Sequence, residues 1–377
     1  MNTPSFRTLF DIPCADVGVG MTCRSILRAG AIAGYAADLF TARAKATGDE
    51  PFLVHQTLPR LLERMPYRAV RGALDPLTHQ TYLRAVKDGD IAYLWPSVPL
   101  RVYEDLARRG IPIVAETVNT PMSVAKPILD AAYEALGEAP AHEITDTRIA
   151  DQEQRFALCN MIFVPNRLGE TALAATAVAS KVVGASFGTW RPARLEPRPP
   201  RDPGAPVRFL FVGTAGVRKG MHHLLDVWRG APQGCELRIV GAMEPLIGRR
   251  FADVLNQPNI SYAGYCSDVT SEYLSADALV LPSIEEGDPI ATHEAAAHGL
   301  PVIASVAGAG RLGSETGTVD IVDPADRAAF HARITDYARS EELRRHQGAI
   351  ARDASLDFDW SAVAPLRFAC MAPLAPV

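Results

Sequence analysis

Two acidic side chains, Glu286 and Glu294, stand eight residues apart in the stretch EEGDPIATHEAAAHGLPVIAS, residues 285–305. An ionised carboxylate accepts several hydrogen bonds, so it can take both hydroxyls of a vicinal diol. Asp288 and Pro289 lie between the two acids. They have the chemistry of a helix start: an acidic N-cap, then Pro at the first helical position, where its missing N–H costs nothing. On that reading Glu294 lies about one and a half turns into a helix and Glu286 lies outside it, roughly 10 Å away. This is wider than the about 5–5.5 Å of a retaining-glycosidase carboxylate pair. It fits a grip on the two ends of one extended ligand: sugar hydroxyls on one Glu, ribose hydroxyls on the other, and a diphosphate between them over the helix N-terminus.

A second stretch, VGTAGVRKG at 212–220, carries complementary chemistry. Gly213, Gly216 and Gly220 allow tight turning and close approach to a ligand. Arg218 and Lys219 stand immediately before a helical segment. A helix start offers free N–H groups and a partial positive charge, and two cations complete a diphosphate cradle. The loop is not a Walker loop, because Lys219 is followed by Gly220 rather than Ser or Thr. Taken singly, each stretch has a plainer explanation. The cations could be solvated on a surface turn, and the acids could serve only the helix dipole. The combination of both with the strand-like LVLPS and GLPVIAS favours a site.

The elements that must position these residues are short apolar runs. They are VRFLFVG (207–213), ELRIVG (236–241), ISYAG (260–264), ALVLPS (278–283), PVIAS (301–305) and VDIVD (319–323). Each is too short for a helix and too continuously apolar for a one-sided sheet, which predicts parallel strands buried on both faces. Between them, Met221, Leu224, Leu225 and Trp228 fall on one helical face, and PIATHEAAAHG ends in Gly299 as a helix does. The first half repeats the theme with TLFDI (8–12), FLVHQ (52–56), IAYLW (91–95), PIVAET (112–117), MIFVP (161–165) and KVVGAS (181–186).

The predicted architecture is α/β, with two Rossmann-like domains facing across a cleft. The expected boundaries are 1–190 for an acceptor-side domain, 191–206 for a linker, and 207–355 for a nucleotide-sugar domain. A C-terminal segment, 356–377, is expected to begin helically, to be broken by its prolines, and to pack back on the first domain. The linker assignment rests on six prolines between 191 and 208. Such a run belongs neither in a central strand nor in a helix interior.

The chain has 377 residues, 48% hydrophobic and 21% charged, with a net charge of −5. This suits a two-domain globular protein and gives no overall attraction to nucleic acid or anionic lipid. The scarcity of Lys against Arg, with abundant Ala and Pro, has the look of a GC-rich bacterial genome. The six cysteines (14, 23, 159, 235, 266 and 370) form no CxxC pair and read as reduced thiols. The N-terminus lacks a signal-peptide pattern, and no run reaches the ~18 apolar residues of a membrane span. The expectation is a cytoplasmic protein with peripheral membrane contact at most. In RLLERMPYRAVR, Arg60, Arg64, Arg68 and Arg71 share one helical face if Pro66 is tolerated. That face could meet an anionic acceptor or a membrane surface, although a solvated face is the simpler reading.

Three segments resemble the retaining glycosyltransferases of family 4, which have the GT-B fold. They are FVGTAGVRKGMHHLLDVW (211–228), ADALVLPSIEEGDPIATHEAAAHGLPVIAS (276–305) and CNMIFVPNRLGETAL (159–173). The resemblance is close over 205–325 and looser over 8–190. It implies that Glu286 contacts the donor sugar, that Glu294 binds the nucleotide ribose and that Lys219 binds phosphate, assisted by Arg218. Gly213 and Thr214 would line the donor site with Asp288. The N–H groups of Gly287, Ile290 and Ala291 would face the phosphates. Gly18 and Gly20 in DVGVGM match a glycine loop near the phosphates and acceptor. The chain departs from the family pattern at Thr214, where Arg is common, and at Asp288-Pro289, which replace Phe-Gly. The usual His after a first-domain strand is also absent, and Glu116 and Asn119 stand there instead.

The implied reaction is sugar transfer from a nucleotide-diphosphate sugar with retention, needing no metal and no cofactor. His222 with His223, and His293 with His298, are not at metal-ligand spacings and read as packing or surface residues. Other functions remain open on sequence grounds. One is a GT-B protein that binds a nucleotide sugar but has lost catalysis. A nicotinamide oxidoreductase is disfavoured because GVGMTC places Cys23 at the third glycine of the dinucleotide fingerprint. A sugar-phosphate epimerase of the same fold is a further option.

Overall fold

The computed structural model describes residues 5–15, 18–44, 50–59, 65–192, 204–266 and 268–375. The chain divides into two compact units. The first comprises Met1–Met122, Ile144–Phe187 and Trp360–Val377, and the second Ser123–Glu143 and Gly188–Asp359.

The first unit is built on seven parallel strands: β1 (Phe6–Phe10), β2 (Ala37–Thr41), β3 (Leu53–Gln56), β4 (Ile91–Leu94), β5 (Ile113–Glu116), β6 (Met161–Val164) and β7 (Val182–Gly184). Their spatial order is β3-β2-β1-β4-β5-β6-β7, so the order reverses between β1 and β4. The central strands β4 and β5 are buried throughout, which explains their continuous apolar sequence.

The second unit repeats the plan with six parallel strands: β8 (Val207–Val212), β9 (Cys235–Val240), β10 (Ile260–Gly264), β11 (Ala278–Leu281), β12 (Val302–Ala304) and β13 (Asp320–Ile321). Their order is β10-β9-β8-β11-β12-β13, with the reversal between β8 and β11. In open α/β sheets a ligand crevice lies beyond the carboxyl ends of the strands at such a reversal. The loops after β8 and β11 are the two stretches singled out from the sequence.

Several details differ from the sequence reading. Strand β2 was not anticipated. Its Asp38 breaks the apolar run and is used by an ion pair with Arg7 of β1. Ser123–Glu143, which carry all but the first residue of the helix Met122–Ala135, belong to the second unit, although they lie in the first half of the sequence. Tyr133 donates to Glu244 at 2.7 Å, and Arg250 donates to the Leu136 carbonyl at 2.9 Å. Most of the expected linker, 193–203, lies outside the described residues. At its start, Thr189 donates to the Phe358 carbonyl at 3.0 Å and the Arg191 N–H to Asp359 at 3.0 Å.

The last helix, Trp360–Met371, runs straight through Pro365 instead of breaking there. Pro66 stands at the N-cap of the helix Tyr67–Ala85, and Arg60 and Arg64 of the expected arginine face lie outside the described residues. No described helix is long and apolar enough to cross a membrane.

Glu116 requires a correction. At the end of β5 its carboxylate has a side-chain exposure of 0% and is held by Arg367 of the last helix, with both N–O distances 3.2 Å. Tyr93 donates to it as well, and Arg367 also donates to the carbonyls of Ser186 at 2.7 Å and Ala185 at 3.1 Å. The residue is a buried anchor for the C-terminal helix, its carboxylate already taken up by Arg367 and Tyr93. Arg367→Met is expected to destabilise the protein by about 3–5 kcal/mol, since it strands a buried carboxylate. Urea unfolding checks this, and a loss under about 1 kcal/mol contradicts it.

Candidate functional site

The loop after β8 begins at Gly213 and ends at Gly220, the N-cap of the helix Met221–Trp228. Gly220 adopts φ 66°, and a Cβ there would lie 1.8 Å from the Pro282 carbonyl oxygen. The chain can therefore pass directly against the loop that follows β11. The two loops are joined again where the Ile284 N–H donates to the Arg218 carbonyl at 2.9 Å.

Glu244, just beyond β9, supports the first loop from the side. Its Oε2 accepts the Val217 N–H at 2.8 Å, its own N–H donates to the Ala215 carbonyl at 3.0 Å, and its Oε1 takes the Tyr133 hydroxyl. Burial, helped by Glu244, pushes the Tyr133 hydroxyl well above the usual range, so it stays a donor. Neither residue was picked from the sequence. The only local signal was an acid four residues past the end of β9, ahead of Pro245.

Two consecutive cations of this loop face two consecutive acids of the other. Arg218 Nε lies 2.7 Å from Glu285 Oε2, and Lys219 Nζ pairs with Glu286 Oε1. The Glu286 oxygen also accepts the Ser283 hydroxyl at 2.8 Å. The acids are deep, with side-chain exposures of 2% and 5%, whereas Arg218 and Lys219 remain 37% and 22% exposed. Anything arriving from solvent thus meets cations backed by carboxylates. Sequence reasoning singled out Glu286, Lys219 and Arg218 but overlooked Glu285.

The helix Ile290–Ala297 starts where its N-terminal N–H groups lack partners within the helix. Gly287 is buried, whereas Ile290 and Ala291, at its first two positions, are half-buried and Thr214 is exposed. Glu294 is half-buried, and its Oε2 accepts the Tyr273 hydroxyl at 2.7 Å. His298 stacks on Tyr273 with ring centroids 5.2 Å apart and donates through Nδ1 to the Glu294 carbonyl at 2.7 Å.

Burial raises the Glu294 carboxyl above the usual range, offset in part by the Tyr273 hydrogen bond. A raised acid favours its neutral form in the fold. Its contribution to stability is therefore present below the ordinary carboxylate range and is lost as pH rises through the raised value. Glu294→Gln should remove that loss. The stability gap in favour of the Gln variant should widen as pH climbs above about 4.5, as read by urea unfolding. A gap that does not change with pH contradicts this.

Asp288 differs from expectation. The N-cap of the helix is Pro289, with no side-chain cap, and Asp288 sits one residue outside. Its carboxylate is wholly buried, with Oδ1 accepting the Arg311 N–H at 2.9 Å and Oδ2 lying 3.1 Å from His293 Nε2. Gly310 makes the room, because a Cβ there would lie 2.4 Å from Asp288 Oδ1. The carboxylate is turned into the protein by these contacts, which explains why it does not cap the helix.

Of the expected first-unit residues, Gly18 and Gly20 occupy the first turn of the helix Gly18–Ile32 after β1. Asn119 is half-buried in the segment after β5. Among the histidines, His222 faces the interior and burial pushes it down to about 3, so it is neutral at physiological pH. Among the described residues, no group of three or more His, Cys, Asp or Glu is placed to hold a metal ion.

Two Rossmann-like parallel-sheet domains define the GT-B fold of glycosyltransferases, and this chain has that fold. Residues 206–340, within the second unit, match the family described as Glycosyl transferases group 1. The chain is 28% identical over 161 residues to the amylovoran biosynthesis glycosyltransferase AmsD of Erwinia amylovora. That alignment takes in 40% of this chain and 44% of AmsD, less than half of the relative's length. Among solved structures, the sucrose-phosphate synthase from Thermosynechococcus elongatus matches with a TM-score of 0.74 at 18% identity, covering 98% of this chain and 99% of that one. HepE from Anabaena, solved in complex with UDP and glucose, matches with a TM-score of 0.69 at 14% identity over the same shares. WaaG, a glycosyltransferase involved in lipopolysaccharide biosynthesis, matches with a TM-score of 0.68 at 14% identity, again over the same shares.

Proposed function

We propose that the protein is a retaining glycosyltransferase, moving a sugar from a nucleotide-diphosphate sugar to a glycan, lipid or small-molecule acceptor. The observation that carries this reading is the pairing of Lys219 with Glu286 between the loops after β8 and β11, where the strand order reverses.

On this reading the diphosphate lies against Lys219 and Arg218 and over the N–H groups of Gly287, Ile290 and Ala291. Gly213 and Thr214 border it. These groups stabilise the charge that develops on the leaving nucleoside diphosphate, the step on which catalysis depends. Glu286 turns from Lys219 to the donor sugar hydroxyls, and Glu294, held by Tyr273, takes the ribose hydroxyls. The acceptor hydroxyl attacks from the face the diphosphate leaves, and its proton passes to the departing diphosphate oxygen, which preserves configuration without an enzyme nucleophile. Gly18, Gly20 and Asn119 are assigned to the acceptor side. Beyond donor and acceptor the scheme needs no cofactor or metal, and it sets the protein in the cytoplasm with at most peripheral membrane contact.

Thermal unfolding with a panel of nucleotide sugars and nucleoside diphosphates tests the reading, followed by assay of nucleoside diphosphate release. A raised melting temperature with at least one nucleotide, and its release from the matching sugar donor, are expected. Silence across the panel contradicts the proposal.

A further inference from the structure

The residue left over from the site description is Glu285. We propose that Glu285 is a charge-balancing residue of the diphosphate site, holding the Arg218 guanidinium while limiting how tightly the released nucleoside diphosphate is retained. This rests on the glycosyl-transfer reading above.

The geometry carries the argument. Glu285 Oε2 lies 2.7 Å from Arg218 Nε, and Nε also approaches the Glu285 carbonyl at 3.4 Å. The Arg218 carbonyl in turn accepts the N–H groups of Ile284 at 2.9 Å and Glu285 at 3.4 Å. Arg218 is thus fixed to the second loop by main chain and side chain together. The carboxylate is 2% exposed and the guanidinium 37%, so the acid lies on the protein side of the cation. A guanidinium carries five N–H donors, and pairing through Nε engages one side of the fork.

A diphosphate approaching from solvent therefore meets a positioned cation whose charge is already opposed from behind. Beside it, Lys219 is opposed in the same way by Glu286. The two acids differ in their prospects. Glu286 has sugar hydroxyls to turn to, whereas Glu285 is enclosed and stays beside the phosphates as a fixed negative charge. In a poorly solvated setting such a charge acts strongly on its neighbours. Its consequence is weaker retention of the diphosphate, which matters most after transfer, when the product must leave. Glu285 is a positioning residue in this account, because it acts through Arg218.

The test is calorimetric titration of the whole chain with inorganic pyrophosphate and with UDP. Glu285→Gln keeps the shape and an acceptor oxygen for Nε but removes the charge. It should tighten pyrophosphate and UDP binding about tenfold and lower the inhibition constant of UDP as product by a similar factor. Glu285→Asp keeps the charge and should bind both probes at near-wild-type affinity, and Glu285→Ala is read in place of Glu285→Gln if that variant does not fold. Unchanged or weaker binding in a folded Glu285→Gln, or equal tightening in Glu285→Asp, would overturn the inference. Loss of binding in Lys219→Met together with an unaffected Glu285→Gln would sink this inference and spare the transfer reading. Failure of the wild-type chain to bind either probe would remove both.

Discussion

Glu286→Gln is expected to lower sugar transfer by about 10³-fold while nucleoside diphosphate affinity changes by less than about tenfold. The variant is close to isosteric. It keeps an oxygen that can accept the Ser283 hydroxyl, now 2.8 Å from Glu286, so the loop after β11 should hold its shape. What it loses is the negative charge that pairs with Lys219 and that would later take the donor hydroxyls. Lys219 is 22% exposed and can be solvated, so the folded state loses little. The phosphates keep both cations, so nucleotide binding should survive. Turnover depends on an interaction strongest as the sugar gains positive character, so it should not. Single-turnover transfer and calorimetry separate the two quantities. A variant that binds and transfers like wild type would show that Glu286 does not contact the reacting sugar.

Gly220→Ala should cost the second unit more than about 4 kcal/mol of stability. Two penalties add. The residue sits at φ 66°, where a Cβ is disfavoured. The new methyl would also stand 1.8 Å from the Pro282 carbonyl oxygen, an overlap that only backbone movement can relieve. Relief must separate the two loops that bring Arg218 and Lys219 to Glu285 and Glu286. Denaturant unfolding should show a collapsed midpoint, and any folded remainder should bind pyrophosphate poorly. Wild-type stability and affinity in this variant would mean that the close crossing of the loops is not required.

Much of the second unit could be read from its sequence because strands with mostly buried positions leave short, mainly apolar runs. All six of its strands fall on such runs, from VRFLFV to the two-residue Asp320–Ile321. The first unit was harder. Strand β2, ADLFT, has its run broken by Asp38, whose partner Arg7 sits on another strand. Pairings across long stretches of chain were out of reach. Nothing near Glu116 announces Arg367, which lies 251 residues away. The same holds for Tyr133 and Glu244, 111 residues apart, and so for the transfer of the helix Met122–Ala135 to the second unit.

At the site, residue types and spacing pointed to Glu286, Glu294, Lys219 and Arg218, because charged groups next to strand ends are chemically conspicuous. Side-chain direction was the missing quantity. Asp288 looked like a cap because Asp-Pro is a common helix start. Its orientation depends on Gly310 and Arg311, which a local pattern cannot see. Glu285 was passed over because a lone acid beside a motif acid carries no pattern of its own, and only the Arg218 contact gives it meaning.

The structure of the chain bound to a nucleoside diphosphate tests the central claim most directly. The account predicts a diphosphate oxygen within about 3 Å of Lys219 Nζ, with a ribose hydroxyl donating to Glu294. A nucleotide bound anywhere else, or one that leaves the Lys219–Glu286 pair untouched, would contradict it.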